Sequence, residues 1–214
     1  DGLHRGHQKL LNRIIKYAQK EDCDSVVCAF DMDRDCLMTN EERRAFLEDK
    51  VDYLIEIPFT KELMEMEAEK FIEEILHKKL HAAHIVVGTD FNFGHEKRGN
   101  HQMLEKYAAK YGYTVDVVEK AYYKDREISS TYIRELLLDG NVPLANELLG
   151  YPYEITSVVE HGQQLGRTLG FPTMNLAPQE KKILPKYGVY ACRVLVDGVW
   201  SVSYTHLRAH ETVL

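Results

Sequence analysis

Few cysteines and no long apolar run set the first limits on this chain of 214 residues. Cys23, Cys28, Cys36 and Cys192 show neither Cys-x-x-Cys spacing nor a dense framework. A disulfide scaffold and a thiolate metal knuckle are thereby excluded, and the reduced thiols of a cytoplasmic protein are expected. No apolar stretch reaches the roughly 18 residues of a membrane-spanning helix, and no secretory h-region is visible. An excess of positive charge is also missing. Asp and Glu number 34 against 27 Lys and Arg, for a net charge of −7. That balance argues against duplex nucleic acid or an anionic membrane as partner, and leaves room for a local nucleotide site that needs only a few donors. Internal repeats and low-complexity tracts are absent as well.

What the chain does have is alternation. Leu10, Leu11, Ile14, Ile15 and Ala18 recur at helical spacing, and short β-branched runs follow at 25–30, 52–57, 84–88 and 113–118. Between and after them the spacing predicts helices over 39–49, 67–80, 100–111, 129–138 and 142–149. Apolar strands alternating with helices predict an α/β fold with a parallel sheet covered on both faces. Ligands of such sheets bind beyond the carboxyl ends of the strands, where the opening loop, Gly88 to Phe91 and Ser129 to Thr131 are all expected. From Tyr151 the character changes. Strands are predicted at 153–159 and 187–196, Asp197-Gly198 reads as a hairpin turn, and no helical pattern returns, so a second, all-β domain is expected from residue 151.

Four stretches bear on chemistry. His4-Arg5-Gly6-His7 stands where a loop becomes a helix; unpaired N–H groups there attract anions, and Gly6 keeps the approach to the backbone open. The bland reading of the same residues is a polar helix start. Gly88-Thr89-Asp90-Phe91-Asn92-Phe93-Gly94 follows a strand, and its aromatics suit either a ring-shaped ligand or the loop's own packing. Ser129-Ser130-Thr131, with Arg134 one turn on, reads as an N-cap and equally as a polyphosphate clamp. In Gly166-Arg167-Thr168-Leu169-Gly170-Phe171-Pro172-Thr173-Met174-Asn175, Thr173 and Asn175 offer hard oxygens suited to Mg²⁺, against a bulge-and-turn alternative. His77, His81 and His84 read as a solvated helix end, since no carboxylate or cysteine completes a metal set.

These stretches, with Leu148 to Tyr153, occur in the order found in the bacterial bifunctional riboflavin kinase/FAD synthetases, and the chain resembles that family over roughly residues 1–200. The resemblance implies a Rossmann-like nucleotidyltransferase domain over residues 1–150 that transfers AMP from ATP to FMN, giving FAD and pyrophosphate. It implies His4 and His7 as catalytic residues. Gly2, Gly6, Asp90, Phe91, Phe93, Ser129, Ser130, Thr131 and Arg134 would contact ATP or flavin. It further implies a partial riboflavin kinase β-barrel over 151–202, with Gly166 and Gly170 at the phosphates and Thr173 and Asn175 as ligands of Mg²⁺. ATP, FMN and riboflavin are the small-molecule substrates so implied.

Relative to the family pattern, the strand that should feed the opening loop is missing, which is expected to leave two neighbouring strands unpaired. Residues 30–36 depart from the usual Phe-x-Pro-His-Pro loop. Residues 203–214 match nothing in the pattern and read as a non-native tail without the kinase's general base. Two other functions fit parts of the sequence: nucleotidylyl transfer to another phosphate such as pantetheine phosphate, which the 166–175 run opposes, and a catalytically inactive flavin- or nucleotide-binding module.

Overall fold

The computed structural model describes residues 1–31, 35–160, 170 and 173–207. Two compact units emerge, one formed by Leu3–Arg34 with Asn40–Ile128, the other by Asp1–Gly2, Asp35–Thr39 and Ser129–Leu214.

The first unit alternates helix and strand. Helix α1 (Arg5–Glu21) buries Leu11 and Ala18 and closes on Asp22 in the left-handed region. It is followed by β1 (Val26–Asp31), α2 (Asn40–Leu47) and β2 (Tyr53–Pro58). Strands β1 and β2 run parallel, Val26 opposite Tyr53. Ser25 and Asp52 lock the entry to this ladder, the Asp52 carboxylate accepting both the Ser25 N–H at 2.7 Å and its hydroxyl at 2.6 Å. Short helices α3 (Lys61–Met64) and α4 (Ala68–Lys70) lead to β3 (His84–Gly88), the β4/β5 hairpin (Asn92–Phe93 and Gly99–Asn100), α5 (His101–Tyr111) and β6 (Thr114–Val118). A last small hairpin, β7 (Tyr122–Tyr123) with β8 (Arg126–Glu127), completes the unit. Strand β3 pairs parallel with β6, His84 opposite Thr114.

The fold class is therefore mixed α/β with parallel strands. Among the described residues these four strands form two separate pairs, with no ladder joining β1 to β3. The segment expected as one α-helix over 67–80 is α only as far as Lys70; Phe71–Lys79 winds as a π-helix. Its wider turn is visible where the Leu80 N–H reaches back five residues to the Ile75 carbonyl at 2.9 Å. Apolar spacing reports which face is buried, and Phe71 and Ile72 are indeed buried, but it does not separate the two helical pitches. The core gathers Ala68, Phe71, Ile72, Val87, Phe93, Leu104 and Tyr113, and the Tyr113 hydroxyl donates to the Leu104 carbonyl at 2.8 Å.

In the second unit, α6 (Ser130–Leu138) and α7 (Val142–Leu149) pack together, burying Ile133, Leu136, Leu137, Ala145, Leu148 and Leu149. Strand β9 (Val159–Glu160) pairs antiparallel with β10 (Asn175–Leu176). Strands β11 (Gly188–Val196) and β12 (Val199–Leu207) form a hairpin through Asp197 and Gly198, both at positive φ as a primed turn requires. The strand expected over 153–159 is not formed before Val159. The polar groups of Tyr153 are used elsewhere, its N–H donating to Asn146 Oδ1 at 2.8 Å and its hydroxyl to the Ile183 carbonyl at 2.6 Å. Residues Ser203–Leu207 lie in register with Gly188–Cys192 as part of β12. Cys23, Cys28 and Cys192 are free thiols.

Candidate active site

In the first unit, His4 is the N-cap of α1. Its Nδ1 accepts the Gly6 N–H at 3.2 Å, in extended backbone geometry that ends the loop and starts the helix. This bond fixes the tautomer. With Nδ1 accepting, the proton of the neutral ring sits on Nε2, which is thus a donor. The His7 ring lies one turn on, its centroid 3.9 Å from that of His4 with the planes tilted by 37°. His7 Nδ1 is enclosed and makes no hydrogen bond among the described residues.

Gly6 has a sharper role than the open approach inferred from sequence: a Cβ there would lie 3.0 Å from both Cε1 and Nδ1 of His4. Glycine is what lets the capping imidazole fold over the helix start. Leu3, at φ +37°, turns the chain into this junction, and the Gln8 side chain holds the Leu3 carbonyl at 2.7 Å.

Burial, then the positive charge of the terminal amine, lowers the pKa of both rings, His4 to about 4 and His7 to about 2; His4 lowers that of His7 further. Both are neutral at pH 7. The linkage has a definite sign. A base whose folded pKa lies below its unfolded value of about 6.5 binds its proton only in the unfolded chain across that gap, so acid favours unfolding. Unfolding free energy should therefore fall as pH drops from 6.5 toward 5. Urea denaturation across this range checks it, and replacing both histidines by glutamine should remove most of the slope; an unchanged slope would place the titration elsewhere.

The loop after β3 separates its two aromatics. Phe93 is 7% exposed and packs on Phe71, with ring centroids 5.4 Å apart, so it belongs to the core. Phe91 is half-buried and stacks on Phe93 at 5.5 Å, and Asp90 is exposed. A residue with no motif behind it holds this loop: Lys120 Nζ lies 3.0 Å from the Asp90 carboxylate and 2.8 Å from that of Glu127. Only folding brings the three together, so the sequence carries no signal for Lys120.

In the second unit, Ser129 caps α6, accepting the Tyr132 N–H at 3.2 Å. The Ser130 hydroxyl donates to the Asp1 carbonyl at 2.8 Å, and Thr131 is exposed. Arg134 Nη2 lies 2.5 Å from the Asp1 carboxylate, the two side chains being 21% and 9% exposed. Gly2 is buried at φ +77°, where a Cβ would come within 2.9 Å of Leu37 Cδ1, and its carbonyl accepts the Tyr151 hydroxyl. Asp1 was not singled out by its sequence; its neighbour Gly2 was.

Gly166 lies outside the described residues, as do the expected kinase-loop positions around it. Gly170 is exposed at φ +83° with open space about it. Thr173 and Asn175 are exposed and two residues apart, and Asn175 stands opposite Glu160 in the β9/β10 ladder. Among the described residues no group of three or more His, Cys, Asp or Glu side chains could hold a metal.

A histidine-capped helix start, a hydroxyl-rich one and parallel strand pairs define a mixed α/β chain whose loop-to-helix junctions carry the donors that phosphate groups take. The sequence model of FAD synthetase matches residues 1–132, and that of riboflavin kinase matches residues 149–213. The chain belongs to the FAD synthetase family. The bifunctional riboflavin kinase/FMN adenylyltransferase of Buchnera aphidicola (Schizaphis graminum strain) is 35% identical over 206 residues, covering 91% of this chain and 66% of the relative. Those of Listeria monocytogenes and Escherichia coli K12 are each 34% identical, covering 92% of this chain and 66% of their own length. The chain thus spans just under two thirds of the relatives it matches. A crystal structure described as a macrolide-efflux protein from Streptococcus pneumoniae superposes on 100% of this chain and 73% of its own, with a TM-score of 0.88 and 29% identity. No helix among the described residues here is long and apolar enough to cross a membrane.

Proposed function

We propose that residues 1–150 carry an FMN adenylyltransferase of Rossmann-like nucleotidyltransferase design, and that residues 151–202 belong to a riboflavin kinase β-barrel of the intact parent. The observation that supports this most is the order of the two matches, FAD synthetase then riboflavin kinase, along a single chain. In the first reaction a phosphate oxygen of FMN attacks the α-phosphorus of ATP and pyrophosphate leaves. Negative charge grows on the oxygen bridging the α- and β-phosphorus and on the non-bridging oxygens. Directed donors held in place before reaction stabilise such charge without reorganisation.

His4 supplies Nε2–H, fixed by the Gly6 N–H on its other nitrogen. His7 supplies a neutral ring held against it. Neutral donors suit this task because they require no protonation event and keep their hydrogen bonds across the physiological pH range. Ser129, Thr131 and Arg134 would bind ATP phosphates, and Asp90 and Phe91 would position the flavin or base. Phe93 supports Phe91 from the core.

For the kinase reaction, Thr173 and Asn175 would hold Mg²⁺. A hydroxyl and an amide oxygen two residues apart, both exposed, are hard donors that suit this cation together with substrate phosphates. The cation would neutralise phosphate charge during transfer from ATP to the riboflavin 5′-hydroxyl.

Incubating the intact parent with FMN, ATP and Mg²⁺ should yield FAD and pyrophosphate, resolved by chromatography. Adenylylation of pantetheine phosphate in place of FMN, or no product at all, would overturn the reading.

A further inference from the structure

We infer that Asp1 is a positioning residue that aims Arg134 at the phosphates of ATP. The inference rests on the proposed adenylyl transfer for its consequence, and on side-chain geometry for its substance. Two separate segments of the second unit, the loop 35–39 and helix α6, meet at this one residue. Its carboxylate accepts the Leu37 N–H through both oxygens, at 3.2 and 3.1 Å. It takes Arg134 Nη2 at 2.5 Å, and its carbonyl takes the Ser130 hydroxyl at 2.8 Å. The loop 35–39 is thereby joined to the start of α6.

That loop is fastened from its other side too. The Leu37 carbonyl accepts Lys182 Nζ at 2.8 Å, and Cys36 exchanges backbone hydrogen bonds with Lys181 and Ile183 at 2.8 and 3.0 Å. Leu37 is 1% exposed, so the platform under the Asp1 carboxylate is buried.

A guanidinium carries five N–H donors in a fixed planar fork. Here the Nη2 corner is spent on Asp1 and, at 3.4 Å, on the Asp35 carbonyl. Nε and Nη1 have no partner among the described residues, while the side chain stays partly open to solvent. Anchoring one corner of a planar group fixes the direction of the others. The arrangement leaves a pre-oriented pair of donors, suited to a phosphate oxygen, on the helix whose first turn also carries Ser129 and Thr131.

The test is a double-substitution cycle in the full chain, reading ATP binding by calorimetry without FMN, and KM and kcat for FAD formation alongside. Asp1→Asn keeps an acceptor for Leu37 and removes the charge that holds Arg134. It should raise the dissociation constant and KM for ATP about tenfold with kcat changed less than threefold, a differential typical of a lost oriented contact. In an Arg134→Ala background the same substitution should change ATP binding less than twofold. Asp1→Ser, which also accepts the Leu37 amide, carries the same expectation should Asp1→Asn not fold. Asp1→Glu, which retains the carboxylate, should restore most of the affinity. Equal losses of affinity with and without Arg134, or unchanged affinity in Asp1→Asn, would overturn the assignment. Absence of FAD formation by the unsubstituted protein would bring down the adenylyl-transfer reading alone, because the binding cycle decides the role of Asp1 in either case.

Discussion

Replacing His7 by alanine should lower FAD formation by the intact parent about a hundredfold or more while moving its unfolding free energy by only about 1 kcal/mol. The separation follows from the bonds that each histidine makes. His4 caps α1 through Nδ1, so its removal costs a helix cap as well as a donor and confounds stability with activity. Among the described residues His7 makes no hydrogen bond at Nδ1, and its ring is only half-buried against His4. Truncation therefore strips no native hydrogen bond from that atom. If the ring donates to the phosphates as proposed, its removal takes away a contact of the kind that is worth about 10²–10³ in rate. Chromatographic FAD yields and urea midpoints for the two alanine variants give the comparison. Activity within a few-fold of the unsubstituted protein, or activity and stability lost together in His7→Ala, would return this residue to packing. The His4 variant should lose in both measurements.

Much of this was legible in the sequence because the signals are local. The β-branched runs became β1, β2, β3 and β6 within a residue or two, and α7 lies at the predicted bounds. His4 and His7 stand at a helix start because one turn of sequence is enough to specify it. What the sequence hid depends on distance along the chain. Lys120 reaches Asp90 across 30 positions, and Asp1 reaches Arg134 across 133. Phe93 read as a ligand-facing aromatic because periodicity places Phe91 and Phe93 alike in a loop; only the packing of Phe71 beneath them separates the core ring from the half-buried one. The missing ladder before Val159 has the same origin. A β-rich run competes with side-chain bonds to Asn146 and Ile183 that composition does not reveal.

Gly94→Ala should be the most destabilising single-methyl change in the first unit, costing roughly 3–5 kcal/mol, the sum of two terms. The first is conformational: at φ +75° and ψ 176° Gly94 occupies a region essentially closed to residues with a Cβ. The second is steric. A Cβ at Gly94 would lie 2.6 Å from Ala68 Cα and 2.8 Å from its Cβ and N, all atoms of a residue that is 1% exposed and central to the core. Backbone and core cannot yield as the end of a long side chain would. The neighbouring His95 N–H, bonded to the Met66 carbonyl at 2.7 Å, pins the loop where the clash occurs.

Gly112 provides the control. It too lies at φ +75°, but as the left-handed cap of α5 with nothing within 4 Å of its would-be Cβ. Gly112→Ala should cost only about 1 kcal/mol, the conformational term by itself in a milder region. The difference between the two urea-derived free energies then isolates the contact between loop 88–94 and α4. Because that loop carries Asp90 and Phe91, Gly94→Ala should also weaken substrate affinity in whatever fraction remains folded, whereas Gly112→Ala should leave it unchanged. Equal stability losses in the two variants would show that the close approach to Ala68 carries no energetic weight, and that Phe91 and Asp90 are held by Lys120 and the core rings alone.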